Sequence, residues 1–176
     1  MCDAPAMVTY RPATPDDAAA ITRLVMAGIR AYGWLAPPGW EPPGEDVDRE
    51  AEQDLARRLV DIAWGFVAED PDGLAGVATM LPASTHRRPD PDPALVHLWH
   101  LFVAEPHWGT RVARRLHADA LGAAAARGFT AARLYTPAGQ VRARRFYERE
   151  GWAAAGDPFF DDAIGFEVVE YRRVVG

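Results

Sequence analysis

The stretch LFVAEPHWGTRVARRLHADAL, residues 101–121, passes from an apolar strand into a helix within a few residues. Its turn places Gly109 and Arg111, a small and a cationic residue, at the mouth of the helix. A helix N-terminus carries about half a positive charge and several unpaired N–H groups, so it attracts anions. Gly109 lets a ligand approach the backbone, and Ala113 keeps the first helical turn slim. The stretch therefore predicts a strand, a turn and a helix with an anion site at the turn.

Apolar strand patterns and helical patterns follow one another along the rest of the chain. Their order, β-α-α-β-β-β-α-β-α-β, predicts an α/β fold in which a mixed central sheet is flanked by helices on both faces. We expect residues 1–7 to form a disordered lead-in and residues 8–176 to form one domain. The predicted strands are MVTYRPAT (7–14), a hairpin over 64–83, and 95–103, 131–137 and 165–175; the predicted helices start at Thr14 and cover 46–65, 112–127 and 139–152.

The strand LVHLWHLFV, residues 95–103, is apolar on both faces, which is typical of a central strand that is covered on both sides. Strict alternation would place the two histidines of this strand on opposite faces. One face would then carry Leu95, His97, Trp99, Leu101 and Val103, and the other Val96, Leu98, His100 and Phe102.

Composition excludes several classes of protein. The 176 residues carry a net charge of −6, which argues against a nucleic-acid partner. The apolar runs are too short to span a bilayer, so we expect no membrane partner. The single cysteine, Cys2, allows no internal disulfide and suits a cytoplasmic protein. No spacing of His, Cys or carboxylates is typical of a metal site, so we expect no metal. The sequence leaves open whether the chain forms a homodimer.

Pro106, Gly109 and Ala113, placed after a strand that ends in Leu-Phe-Val, resemble the acetyl-CoA signature of the GNAT superfamily of N-acetyltransferases. Trp108 stands where that signature usually has Arg or Gln, and Arg111 stands where it usually has its central Gly.

A second match lies in QVRARRFYEREGW, residues 140–152, where Gln140 replaces the usual Asn. The resemblance covers about residues 8–174 and implies an acetyl-CoA-dependent N-acetyltransferase. It would transfer the acetyl group directly to a primary amine, because no cysteine lies near the motifs to form a covalent intermediate. A catalytically silent acyl-CoA-binding module is the alternative. The residues that match the second motif are Ala143, Phe146, Tyr147, Glu148, Gly151 and Trp152.

The resemblance also implies where acetyl-CoA binds. The pantetheine arm would pair with the backbone of Leu101, Phe102 and Val103. If the φ angle of Arg111 is positive, its bulky side chain is strained; if it is helical, the side chain can reach a phosphate oxygen. The residues expected to hold the rest of the cofactor are Trp108, Gly109, Thr110, Arg111, Val112, Ala113, Arg114, Gln140 and Arg144.

Acetyl transfer to an amine needs a proton for the leaving thiolate and an acceptor for the proton of the amine. The resemblance makes Tyr147 the general acid, and a packed aromatic is its alternative role. It places His97 at the position of the base, directly or through a water. His100 is a competing candidate, and a histidine on an apolar strand is often only a core residue.

The acceptor side is expected in the loop between the first two helices, which carries Tyr32, Trp34 and Trp40 followed by acidic residues. Aromatic rings and carboxylates suit a cationic amine. The alternative interpretation, which the sequence supports equally, is a solvated acidic loop. Arg87 and Arg88, in another loop, would favour an anionic acceptor instead.

Overall fold

The computed structural model describes residues 7–176, so residues 1–6 of the disordered lead-in expected over residues 1–7 lie outside the described residues. The α/β fold with a mixed sheet flanked by helices on both faces is confirmed. None of the helices in residues 7–176 is long and apolar enough to cross a membrane. The strands are β1 (Thr9–Pro12), β2 (Trp64–Asp70), β3 (Gly73–Pro82), β4 (Leu95–Val103), β5 (Ala131–Pro137), β6 (Ala153–Ala154), β7 (Phe159–Asp161) and β8 (Phe166–Val174), and the α-helices are α1 (Ala18–Arg30), α2 (Glu45–Asp61), α3 (Val112–Ala126) and α4 (Val141–Arg149).

The sheet runs in the order β1-β2-β3-β4-β5-β8-β6, and β7 also pairs with β8. Neighbouring strands are antiparallel except for the parallel pair β4 and β5. Helices α1 and α2 pack on one face of the sheet, and α3 and α4 pack on the other. Each helix buries its apolar stripe against the sheet, which is the main source of stability in such a layered fold.

The observed elements differ from the sequence prediction in the end of α2 and in two further strands, and β1 and α4 are shorter than predicted. Helix α2 ends at Asp61 because Trp64 and Gly65 already pair with β3 as the start of β2. The short strands β6 and β7 lie in a segment rich in Gly, Asp and Pro that carries no strand pattern, and their pairing with β8 creates them.

A β-bulge in the middle of β4 breaks the alternation expected for this strand. Leu98 pairs with Met80 and His100 pairs with Thr79, so that Trp99 has no partner of its own on β3. An extra residue moves every following side chain to the opposite face. His100 therefore joins His97 on the face of α1 and α2, whereas Leu101 and Val103 pack against α3.

Strands β4 and β5 separate soon after they meet. Leu95–His97 pair with Ala131–Arg133, and no further pairs form between these two strands within the described residues. The edge of β4 from residue 98 to residue 103 therefore faces a gap, and backbone groups at such an edge can pair with an extended ligand. The carboxyl end of this edge leads directly into the turn at Gly109.

Candidate active site

The turn before α3 has the backbone of an anion site. Gly109 has a φ of 79°, in the left-handed region that favours glycine. Arg111 has a φ of −84° and a ψ of −2°, so its backbone is helical and unstrained. Of the two alternatives for Arg111, the structure selects the one in which its side chain is free to reach a phosphate oxygen.

Several amide groups at this turn have no acceptor. Within residues 7–176, the N–H groups of Gly109, Arg111, Ala113 and Arg114 donate to no backbone or side-chain atom. A Cβ added at Gly109 would meet nothing within 4 Å. Free N–H groups, a helix N-terminus and open space together fit a diphosphate.

Three contacts hold the turn in place. His107 Nε2 lies 2.6 Å from Asp70 Oδ2 and joins the turn to the hairpin between β2 and β3. Trp108 Nε1 donates to the carbonyl oxygen of Val103 at 2.8 Å. The guanidinium of Arg142 lies over the Trp108 ring, 4.9 Å from its centroid, and so links the turn to α4.

The remaining residues expected at the cofactor have different surroundings. Arg114 is exposed and lies 3.4 Å from a carboxylate oxygen of Glu150. Gln140 is the residue before α4, with its backbone amide bonded to Pro137. Arg144 donates to the carbonyl oxygen of Ala138 and to the hydroxyl of Tyr171, both at 3.0 Å. These bonds use two of the five N–H donors of the guanidinium and support the turn before α4, and contact of Arg144 with the cofactor stays a prediction.

Tyr147 projects from α4 toward the sheet and is buried. Its ring packs edge-on against Phe146 and Trp152 and lies close to Tyr171. Burial raises the pKa of the Tyr147 hydroxyl well above its ordinary value, and the nearby Tyr32 adds to this effect. The hydroxyl therefore keeps its proton at neutral pH and is available only as a proton donor.

A cavity of about 330 Å³ opens on the other side of β4, between α1, α2, β5 and the turn before β8. Its walls are mostly apolar, as in small-molecule sites. The polar residues that line it are Thr22, Tyr32, Asp54, His86, Arg87, His97, His100, Tyr135 and Asp161.

His97 is buried and its Nδ1 accepts a bond of 3.3 Å from Arg133 Nε. Its ring packs on His86, with 4.0 Å between the centroids. Burial lowers the pKa of His97 well below its ordinary value, and the charge of Arg133 contributes. A neutral His97 whose Nδ1 accepts this bond carries its proton on Nε2, so it acts as a donor and not as a base.

His100 lies on the same face because of the bulge. Its Nδ1 is 2.8 Å from the hydroxyl of Thr79, and its ring stacks on Trp99 with 4.4 Å between the centroids. Burial lowers the pKa of His100 to about 3, so the ring is neutral at physiological pH. If the hydroxyl of Thr79 accepts the Nδ1 proton, the lone pair of Nε2 is free to accept a proton in the cavity.

Of the three aromatic residues expected at the acceptor, Tyr32 and Trp40 both pack on Phe166, whereas Trp34 stands apart. Tyr32 lines the cavity, and burial raises its pKa to about 12. Trp34 is 71% exposed and does not line the cavity. Trp40 donates from Nε1 to the carbonyl oxygen of Ile164 at 2.6 Å and packs on Phe166, so it fastens its loop to the turn before β8.

The two arginines of the loop before β4 are already paired. Arg87 forms an ion pair with the buried Asp161 at the cavity wall. The guanidinium of Arg88 lies 4.0 Å from the centroid of the Phe159 ring. Sequence reasoning missed His86, Tyr135 and Asp161 as cavity residues, because only the folded sheet brings their segments together.

The turn, the open edge of β4 and the cavity together suit an enzyme that binds an extended phosphorylated ligand. The family model of the acetyltransferase (GNAT) family matches residues 29–152. The chain therefore belongs to this acetyltransferase family, is an N-acetyltransferase by class and uses acetyl-CoA as its co-substrate.

Solved structures agree with this fold. A GNAT-family protein from Desulfovibrio desulfuricans is 21% identical, with a TM-score of 0.69 and coverage of 97% of this chain and 100% of that one. The PaiA N-acetyltransferase from Thermoplasma acidophilum, solved with coenzyme A, is 14% identical, with a TM-score of 0.71 and coverage of 93% and 98%. The ribosomal-protein-alanine N-acetyltransferase from Brucella melitensis is 18% identical, with a TM-score of 0.70 and coverage of 94% and 99%. A search of the curated proteins finds no match to this sequence.

Proposed function

We propose that the chain transfers the acetyl group of acetyl-CoA directly to a primary amine bound in the cavity beside β4. The observation that carries this proposal is the position of His100. The β4 bulge directs its ring into the cavity, while the open edge of the same strand leads to the unpaired amides at Gly109. One strand thus connects a site for a diphosphate with a site for an acceptor.

The free edge of β4 offers backbone groups to the pantetheine arm at Leu101, Phe102 and Val103. The unpaired amides from Gly109 onward suit the diphosphate, and Arg111 adds a mobile positive charge. When bound, acetyl-CoA supplies the acetyl group as a thioester. The chain supplies position, because a reactant held beside the acceptor replaces a bimolecular encounter.

We assign the proton transfers to two residues, His100 on β4 and Tyr147 on α4. As the bond between the amine nitrogen and the acetyl carbon forms, His100 Nε2 accepts a proton from the nitrogen. As the carbon–sulfur bond breaks, Tyr147 donates its hydroxyl proton to the sulfur. His97 is a positioning residue in this proposal, because its Nε2–H can only donate.

Release of free CoA thiol with a panel of primary amines, together with the mass of the acetylated product, tests this function. His100→Gln should lower turnover by about 10²-fold and leave CoA affinity unchanged. The matched control is His117→Gln, because His117 is also a buried histidine but lies on the α3 face and bonds Trp152. CoA binding without thiol release from any amine would instead support the silent acyl-CoA-binding module.

A cytoplasmic location and the lack of a nucleic-acid partner stay proposals that rest on one cysteine and a net charge of −6. A homodimer stays a prediction as well, and sedimentation of the purified chain measures it directly.

A further inference from the structure

Two carboxylates line the cavity within the described residues, and both already have partners. Asp161 is buried, pairs with Arg87, and accepts a 3.0 Å bond from the backbone amide of Ala163. Asp54 lies 2.7 Å from Arg58 and 3.4 Å from Arg57. No lining carboxylate is left to pair with a cationic ammonium group, and burying an unpaired charge costs more than burying an unpaired neutral group.

Positive charge prevails near the histidines. Arg133 is buried behind the cavity and donates to His97 Nδ1 and to the carbonyl oxygens of Ala83 and Arg88. Its nearest carboxylate partner, Asp90, is 3.9 Å away. Burial, together with the charges of Arg133 and Arg87, lowers the pKa of His86 to about 4. A further cation brought among these groups would meet repulsion.

The walls of the cavity suit an apolar and flat molecule. Aromatic rings approach from several sides, and a volume of about 330 Å³ is at the small end for ligand sites. Apolar side chains from α1, α2, β4 and the turn before β8 complete the surface, among them Val25, Met26, Ile29, Leu55, Phe102 and Ile164.

From these features we propose that the acceptor is a neutral, weakly basic amine with an apolar body, of the arylamine class, rather than an alkylammonium ion, an amino acid or a polyamine. This inference rests on the proposed acetyl transfer. Such an amine is neutral at neutral pH, so it loses no proton before it enters the cavity. Its N–H groups can donate to His100 Nε2, and its ring packs on the apolar walls. On transfer, the new carbon–nitrogen bond replaces the carbon–sulfur bond, and one amine proton passes to His100 while Tyr147 protonates the sulfur.

The test compares two isomers of equal size in the CoA-loaded protein by calorimetry at neutral pH. Para-ethylaniline is neutral there, whereas β-phenylethylamine is a cation. We expect para-ethylaniline to bind at least about tenfold more tightly, because the ammonium group has no counter-ion in the cavity. Equal affinities, tighter binding of β-phenylethylamine, or no binding of either isomer would overturn the inference.

A variant of the cavity wall sharpens the test. Arg87→Met removes the partner of Asp161 and leaves a carboxylate that can pair with the ammonium group, so the preference for para-ethylaniline should fall by about tenfold. Arg88→Met is the matched control and should keep the ratio of the unaltered protein, because Arg88 contacts Phe159 and does not line the cavity. If Arg87→Met does not fold, the ratio measured with the unaltered protein decides alone.

Thiol release in parallel samples, which contain acetyl-CoA in place of CoA, separates this inference from the proposed function. If neither isomer nor any other amine of the panel releases CoA thiol, acetyl transfer fails as the function. The ratio of the two binding constants still decides which kind of amine the cavity accepts.

Discussion

Replacing Gly109 by Glu should remove CoA binding while the fold stays intact. The φ of 79° costs any non-glycine residue about 1–2 kcal/mol. No heavy atom lies within 4 Å of the added Cβ, so the side chain itself fits. A carboxylate about 5 Å from a phosphate would add a repulsion of about 3 kcal/mol at an effective dielectric constant of about 20. The affinity for CoA should therefore fall by at least about 10²-fold.

Gly128→Glu is the matched control for this experiment. Gly128 follows the other end of α3, about 22 Å away along the helix. It has a φ of 88° and equally open space around its Cβ, so it repeats the strain without the phosphate. Calorimetry with CoA and thermal melting of both variants are the measurements. If Gly109→Glu binds CoA as tightly as Gly128→Glu, the diphosphate does not lie at this turn.

Three further outcomes can be measured. Tyr147→Phe should lower turnover by about 10²-fold with CoA affinity and melting temperature little changed; lost stability with full turnover per folded molecule would show that the ring matters and not the hydroxyl. His97→Gln should keep most of the turnover. The rate profile should show no limb near about pH 6.5 from His97 or His100, because burial lowers the pKa of both. A limb near that pH that His97→Gln removes would contradict the structure. Arg11 lowers the pKa of Asp17 to about 2, so this pair should stabilise the fold by about 1–2 kcal/mol above about pH 4 and lose that contribution as the pH falls toward about 2; equal acid stability of Asp17→Asn, measured by denaturation, would refute it.

The features that the sequence predicted correctly depend on neighbouring residues. Strand β5 covers residues 131–137 as expected, because its apolar run lies between a helix that ends at glycine and a loop with another glycine. The sequence predicted the turn before α3 for the same reason. The turn requires a left-handed backbone, which Gly109 adopts without strain, and Arg111 then precedes the helix with helical backbone angles.

The features that the sequence could not predict depend on distant partners. The bulge at Trp99 arises from the pairing of β4 with β3, and an apolar pattern on both faces gives no sign of it. The bond from Arg133 to His97 joins residues that are 36 positions apart. Because Nδ1 of His97 accepts that bond, its Nε2 carries the proton and donates. The bond forms only when β5 lies beside β4. The resemblance placed His97 at the position of the base with His100 as the competing candidate, and which of the two histidines acts as the base stays a prediction.

The contact between His107 and Asp70 limits where this chain tolerates an insertion. Tips of β-hairpins are usually safe places for insertions, tags or new chain ends. Here Asp70 accepts bonds from the amides of Asp72 and Gly73 while it also holds His107. An epitope inserted between Asp70 and Gly73 would therefore displace the loop that leads to α3. A fusion made at this hairpin should lower the affinity for the cofactor, although, in the part of the chain that the structure describes, residues 70–73 do not line the cavity.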